Sequence, residues 1–122
     1  SSNKGNSSSS SSSSSGRYVS GSTVSRAYSA LGKPYVWGAA GPNSFDCSGL
    51  VSFCLTGRYS HTYSSSDFVG LTKVSNPQPG DICVRVGHVG VYIGGGQMIH
   101  APHTGDVVKI SAVPSNMWYV RP

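Results

Sequence analysis

Three residues of this chain have the side chains that nucleophilic catalysis requires: Cys47, His88 and His100. Cys47 follows Asp46, a residue type that caps helices, so the thiol is predicted to lie in the first turn of a helix. Free backbone N–H groups and the positive end of the helix dipole favour the thiolate there, and they could also hold an oxyanion. The next two residues are a serine and a glycine, which leave the sulfur approachable. The pattern therefore indicates an attacking thiol.

A thiol nucleophile needs a base, and the base needs a group that orients it. His88 and His100 lie in two predicted strands that the glycines at 94–96 join in a hairpin. Both rings can then project from one surface of the sheet toward the helix of Cys47. We expect Cys47 to be the nucleophile, His88 its base and then acid, and His100 the orienter of the His88 ring.

Helices followed by a run of strands are predicted to hold these residues in place. Apolar positions at helical spacing predict the first helix, and Asp46 and Gly57 bound the second. After Pro79 the pattern alternates with the period of two that strands require. The predicted helices are Ser22–Leu31, the segment from Asp46 to Gly57 and a short one near Ser66–Leu71, and the predicted strands are Asp81–Val86, His88–Ile93, Gln97–Ala101, Val107–Ile110 and Trp118–Val120. This order of elements indicates an α+β domain.

The chain divides into a linker at residues 1–16 and a domain at residues 17–122. Ser7–Ser15 is unbroken serine, and no apolar side chain offsets the entropy of ordering that backbone, so a disordered linker is predicted. Because few proteins begin with a linker, we expect the chain to be the C-terminal part of a longer one. The remaining residues suffice for a single small core.

The charge of the chain is basic but dispersed. Nine Lys and Arg against four Asp and no Glu give a net charge of +5, and the eight basic residues after the linker are spread singly along the domain. Nucleic-acid-binding proteins more often cluster them with aromatic residues on one face, so no nucleic-acid partner is expected. A basic surface remains suited to an anionic polymer. No apolar run is long enough to span a membrane, and no membrane partner is expected.

The three cysteines fit neither a small disulfide framework nor a CxxC metal pattern. Cys54 and Cys83 lie among apolar neighbours and are predicted to be buried thiols. Cys47 has polar and small neighbours instead, which separates it from the other two. No cofactor is expected.

Five short segments form a pattern that is more specific together than any one of them alone. They are Tyr35–Gly38, Phe45–Val51, Pro79–Asp81, His88–Gly94 and Met98–Pro102. In this order they resemble the NlpC-type cysteine peptidases, and the resemblance covers nearly the whole chain after the linker. It implies a reduced papain-like α+β fold, with the catalytic cysteine on a helix packed against a small antiparallel sheet. It also implies cleavage of stem-peptide bonds in bacterial peptidoglycan, commonly between D-γ-glutamyl and a diamino acid.

The resemblance assigns roles residue by residue. The three residues named at the outset match the family's catalytic triad. Tyr35 matches a tyrosine that lines the substrate site, and Asp46 and Ser48 match positions that contact the amine of the stem peptide in some members. The segment Arg58–Ser75 departs from the family pattern and is expected to form part of one pocket wall. The implied protein is a bacterial monomer, secreted or attached to the cell wall, whose partners are peptidoglycan stem peptides and anionic wall polymers.

Three other functions are compatible with parts of the pattern. A zinc-dependent wall hydrolase would bind the metal through Cys47, the two histidines and His103, but the chain has no HExxH motif and no Glu to act as general base. A wall-binding module would keep the fold without turnover. Acyl or amide transfer would use the same Cys–His pair with an amine in place of water. His103 and His61 are expected to lie outside the site, the first in a loop and the second on the surface.

Overall fold

The computed structural model describes residues 18–122, so the predicted linker at residues 1–16 lies outside the described part. Its elements are α1 (Thr23–Ser29), α2 (Cys47–Thr56), α3 (Ser65–Val69), β1 (Ile82–Arg85), β2 (His88–Gly94), β3 (Gln97–His100), β4 (Lys109–Ala112) and β5 (Trp118–Val120). The five strands form one sheet in the order β4-β3-β2-β1-β5, and every neighbouring pair is antiparallel. The prediction of an α+β domain with a small antiparallel sheet is confirmed.

Polar caps set the helix boundaries. Ser22 caps α1 in a capping box with Ser25. Asp46 caps α2 through a hydrogen bond that its side chain accepts from the Gly49 N–H. Gly57 ends α2 in the left-handed conformation with φ 77°, which glycine adopts without steric cost. The predicted start and end of the second helix are therefore confirmed.

Strand β4 begins two residues later than predicted. The apolar residues Val107 and Val108 were expected to open it, but they contact the segment after α1 instead. The N–H of Val108 donates to the Lys33 carbonyl at 2.8 Å, and the Val108 carbonyl accepts from the Gly32 N–H at 2.9 Å. Pro34 and Val107 form an isolated bridge. Because these backbone groups already have partners, pairing with β3 starts at Lys109.

The sheet carries a different apolar cluster on each face. The larger one joins α1, α2 and α3 to alternate sheet positions, and it includes Leu50, Val51, Val84, Val89 and Ile99. The smaller one lies on the other face and consists of Cys83, Tyr92, Met98 and Met117. These two clusters follow the alternation of strand side chains. The faces of the sheet are therefore distinct environments.

The prediction of two buried thiols is confirmed, because Cys54 and Cys83 are both fully buried and all three cysteines are free. Burial raises the pKa of Cys54, and it raises the pKa of Cys83 to about 12. Within residues 18–122, none of the helices is long and apolar enough to span a membrane.

Candidate active site

The first turn of α2 holds Cys47 in the position that the sequence predicts. The Asp46 carboxylate fixes this turn, because Oδ1 accepts from the Gly49 N–H at 2.7 Å and Oδ2 accepts from the Gly38 N–H at 2.9 Å. Gly49 has no room for a side chain, since a Cβ there would meet the backbone oxygen of Ala39. The loop before the helix and the helix start are thus held together beneath the thiol.

The electrostatics of Cys47 differ from the expectation. Burial raises the pKa of the thiol, the backbone N–H groups of Val89, Ser48 and Cys47 act to lower it, and the Asp46 charge adds to the rise. The net direction is upward, so the helix terminus alone does not leave a thiolate at rest. Burial outweighs the N–H groups because it removes water from the charged form. The thiol therefore needs a base to take its proton.

A hydrogen-bonded pair of histidines lies on strands β2 and β3. His88 Nε2 is 2.9 Å from His100 Nδ1, and the two rings meet edge to face. Gly90 lies beside them, and a Cβ there would come within 3.1 Å of the His100 Cβ. The missing side chain of Gly90 therefore makes room for the pair. The prediction that both rings project from one surface of the sheet agrees with this contact.

The body of α2 packs on the other surface of the sheet, and the expectation that the histidine surface reaches Cys47 stays a prediction. A Cβ at Gly90 would meet Met98, which belongs to the smaller cluster, whereas α2 packs on the face that carries Val89. Cys47 meets β2 at the N-terminal end of α2, where the Val89 N–H acts on its sulfur. This N–H is available because the pairs between β2 and β3 begin only at Val91 and Ile99. The thiol thus approaches the end of the strand rather than its face.

Both histidines favour the neutral ring. Burial lowers the pKa of His88 to about 4, and the neighbouring charges of His100 and Arg85 act in the same direction. Burial also lowers the pKa of His100, and Lys109 adds to the effect. At neutral pH each ring therefore carries one proton and one lone pair. A neutral ring is the form that can accept a proton from a thiol.

The three residues expected to contact substrate lie around the same helix terminus. Tyr35 is half-buried, and its pKa is raised by burial and by the nearby charges of Cys47 and Asp46. Ser48 is also half-buried, and its Oγ lies 3.4 Å from Asp46 Oδ1. Asp46 is itself 8% exposed. Tyr35 and Ser48 therefore have surface near the thiol, and Asp46 acts first on the backbone.

His61 is exposed, as predicted, but its contact with Asp46 was not predicted. The ring is partly exposed, yet Nε2 lies 2.8 Å from Asp46 Oδ1. The neighbouring residues attach the same segment to α2, because Tyr59 stacks on Phe53 and Tyr63 exchanges two backbone hydrogen bonds with the buried Ser52 hydroxyl. The segment that departs from the family pattern thus lies against α2. No local signal in the sequence identifies this contact.

Ser111 is a second missed residue. Its Oγ lies 2.9 Å from His100 Nε2, on the side of the ring opposite to His88. The position could have been found had β4 been aligned correctly, because Ser111 pairs with Met98 on the surface that carries His100. His103 lies in a loop as expected, with a side chain that is 72% exposed and 3.6 Å from Asp106. Among residues 18–122, no three His, Cys, Asp or Glu side chains are grouped to hold a metal ion.

Comparison with known proteins identifies the class to which this arrangement belongs. The family model NlpC/P60 matches residues 32–121, which include the cysteine and both histidines. The chain belongs to the NlpC/P60 family, whose members are cysteine peptidases. The family resemblance and the enzyme class inferred from the sequence are confirmed.

Relatives within this family carry peptidase names. The chain is 43% identical over 97 residues to the "probable endopeptidase p60" of Listeria grayi, covering 72% of this chain and 19% of that protein. It is 37% identical over 112 residues to the peptidoglycan endopeptidase RipA of Mycolicibacterium smegmatis, covering 74% and 22%. The crystal structure of the NlpC/p60 domain of the peptidoglycan hydrolase SagA is similar, with a TM-score of 0.66, 36% identity and coverage of 83% and 97%. The chain therefore spans about a fifth of the length of these two sequence relatives but nearly the whole of the solved domain.

Proposed function

We propose that this domain is a peptidoglycan endopeptidase that cleaves stem peptides, with Cys47 as nucleophile and His88 as base. The observation that carries the proposal is the hydrogen-bonded pair of His88 and His100 next to the strand end that contacts the cysteine. His88 Nε2 is engaged by His100, so Nδ1 is the nitrogen left for the thiol. Burial keeps the ring neutral and able to accept a proton.

The reaction follows from these positions. Cys47 Sγ attacks the carbonyl carbon while its proton passes to His88 Nδ1, and the carbonyl π electrons move to oxygen. Backbone N–H groups at the start of α2 stabilise this oxyanion. The intermediate collapses, the C–N bond breaks, and the leaving amine takes the proton from His88. Water then loses a proton to His88 and its oxygen attacks the carbonyl carbon of the thioester. The C–S bond breaks, the carboxylic acid product leaves, and the Cys47 sulfur takes the proton back from His88.

The substrate proposal rests on the family and on the residues near the thiol. Relatives are named as endopeptidases of peptidoglycan, and the family resemblance makes the bond between D-γ-glutamyl and a diamino acid the preferred candidate. Tyr35 would line the site, and Ser48 and Asp46 would face the amine of the stem. Among residues 18–122, Oδ2 of Asp46 accepts from the Gly38 N–H, and a carboxylate oxygen has capacity for a further donor. The basic surface would suit binding to anionic wall polymers. The protein would act outside the bacterial cell, and it would act as a monomer.

The test is a digest of two purified peptidoglycans, one with diaminopimelate and one with lysine, read by mass spectrometry. Wild type should release new stem fragments, whereas Cys47→Ala should release none. Cys54→Ala is the matched control, because it removes a buried thiol remote from catalysis and should still cut. His88→Ala should lose nearly as much activity as Cys47→Ala, and His100→Asn should lose less. A Cys47→Ala protein that still releases fragments would refute the proposal.

The same assay separates the alternatives. A chelator that abolishes activity while an alkylating agent does not would indicate the zinc hydrolase. Fragments that appear with an added amine attached would indicate transfer instead of hydrolysis. If neither wall is cut, a pull-down of the chain on intact wall would identify a binding module.

A further inference from the structure

We propose that Ser111 is a positioning residue that fixes the tautomer of His100, and through it the tautomer of the base His88. The catalytic consequence rests on the proposed function, but the tautomer itself can be measured without substrate. Ser111 Oγ lies 2.9 Å from His100 Nε2, and His100 Nδ1 lies 2.9 Å from His88 Nε2. Ser111 is therefore the last member of a chain of hydrogen bonds that begins at His88.

The register of the sheet sets this contact. In the β3–β4 ladder Met98 pairs with Ser111 and His100 pairs with Lys109, so all four side chains share a surface. Lys109 lies directly opposite His100, but its ammonium donates to Asp106 at 2.7 Å. The diagonal neighbour Ser111 is therefore the group that meets the ring. Ser111 is half-buried, which limits competition from water for the contact.

The proton positions follow from what each nitrogen must do. For His88 Nδ1 to accept the thiol proton, the proton of the neutral His88 ring must sit on Nε2, where it donates to His100 Nδ1. His100 Nδ1 must then carry a lone pair, so the proton of the neutral His100 ring sits on Nε2. That proton points at Ser111 Oγ, which accepts it. A single direction of donation thus runs from His88 through His100 to Ser111.

The opposite direction would disable the base. If Ser111 donated to His100 Nε2, the His100 proton would sit on Nδ1 and donate to His88 Nε2. The neutral His88 ring would then carry its proton on Nδ1, facing the thiol, and could not accept another there. The acceptor role of the Ser111 oxygen is therefore the one compatible with a working base. Its own hydroxyl proton is directed elsewhere.

A neutral hydroxyl also leaves the charge of the site unchanged. The charged or titratable groups that act on His100 are Lys109, Asp106 and His103, and His88 meets it directly. A carboxylate at position 111 would stabilise the protonated form of His100 and raise the pKa of this ring. His100 would then lose the lone pair on Nδ1 at a higher pH than it does in wild type. Ser111→Asp should therefore move the acid limb of activity to higher pH. A serine fixes the proton without that effect.

The experiment compares Ser111→Thr with Ser111→Val, which differ only in a hydroxyl and a methyl group and both suit a strand. Ring-nitrogen NMR at neutral pH should find the Nε2–H tautomer of His100 in wild type and in Ser111→Thr, and a mixture in Ser111→Val. Turnover of wall peptide should fall about tenfold in kcat for the valine variant, the value of one hydrogen bond, with KM unchanged. The exposed Ser115→Ala is the control and should match wild type in both measurements.

Three results would overturn the proposal: an Nδ1–H tautomer of His100 in wild type, an unchanged tautomer in Ser111→Val, or equal loss of kcat in the threonine and valine variants. Ser111→Ala repeats the test if the valine side chain disturbs the strand. A wild-type chain that shows the Nε2–H tautomer but cuts no peptidoglycan would refute the proposed function and leave the positioning role in place. The two proposals therefore fail separately.

Discussion

Acidification should destabilise the fold through His88. The pKa of this ring is about 4 in the folded chain, against an ordinary value of 6.5, because burial disfavours the charged form. Between these values the unfolded chain binds a proton on the ring and the folded chain does not. The contribution of His88 to stability is therefore fully present above pH 6.5 and is lost as the pH falls toward 4.

The size of the effect follows from the two pKa values. Their difference corresponds to about 3 kcal/mol when the loss is complete and to about 2 kcal/mol at pH 5. Urea denaturation at pH 7.5 and pH 5, followed by tryptophan fluorescence, measures it. The comparison protein is His88→Gln, which cannot titrate. Wild type should lose about 2 kcal/mol more than His88→Gln between the two pH values.

Other titrating groups do not obscure this comparison. His100 also has a lowered pKa, so it destabilises both proteins on acidification and largely cancels. Asp81 and Asp106 have pKa values below 3.8, and their contributions are lost only at lower pH than the assay reaches. An equal loss of stability in wild type and His88→Gln would refute the argument that His88 is held neutral by burial.

Three further predictions concern the surroundings of the site. Gly90→Ala should lower the free energy of unfolding by about 1–3 kcal/mol, because its Cβ would lie 2.9 Å from a methionine sulfur and 3.1 Å from a histidine Cβ; unchanged stability in urea would contradict this. Asp46→Ala should cost about 1–2 kcal/mol in the same assay by removing the helix cap, and Asp46→Asn should retain most of the stability, so equal losses would count against capping. Of the three cysteines, iodoacetamide at pH 8 should label Cys47 in the folded chain and should reach Cys54 and Cys83 only in urea, which peptide mass spectrometry measures. Labelling of either buried thiol without urea would show that the core opens more readily than its burial implies.

Local chemistry in the sequence was enough to predict the helices and the hairpin. Asp46 and Gly57 bound α2 because a side-chain cap and a left-handed glycine act within a few residues of their own position. The three glycines at 94–96 all have positive φ, which suits the turn that joins β2 and β3. These signals also gave the positions of Cys47, His88 and His100 along their elements.

Features that depend on distant parts of the chain were not predictable in this way. The sequence pattern predicts Val107 and Val108 as part of a strand, but in the structure they pair with the backbone of residues 32–34 instead of with β3. His61 lies in a polar stretch, and only the folded segment brings it to Asp46. The rise in the pKa of Cys47 comes from burial by the assembled core, which a helix-terminus argument does not contain.

Division of the site between two stretches of chain has a consequence for biosynthesis. Cys47, the proposed nucleophile, starts a helix that precedes the five strands β1–β5, whereas the proposed base and its supporting residues lie on β2, β3 and β4. During translation the nucleophile therefore emerges from the ribosome well before His88, and the thiol has no base until the hairpin has been made. The nascent chain would be catalytically silent until its last third is synthesised. For the same reason, the chain could be divided within the polar segment between α3 and β1. Each fragment would be inactive, and activity would return when the two fragments reassemble.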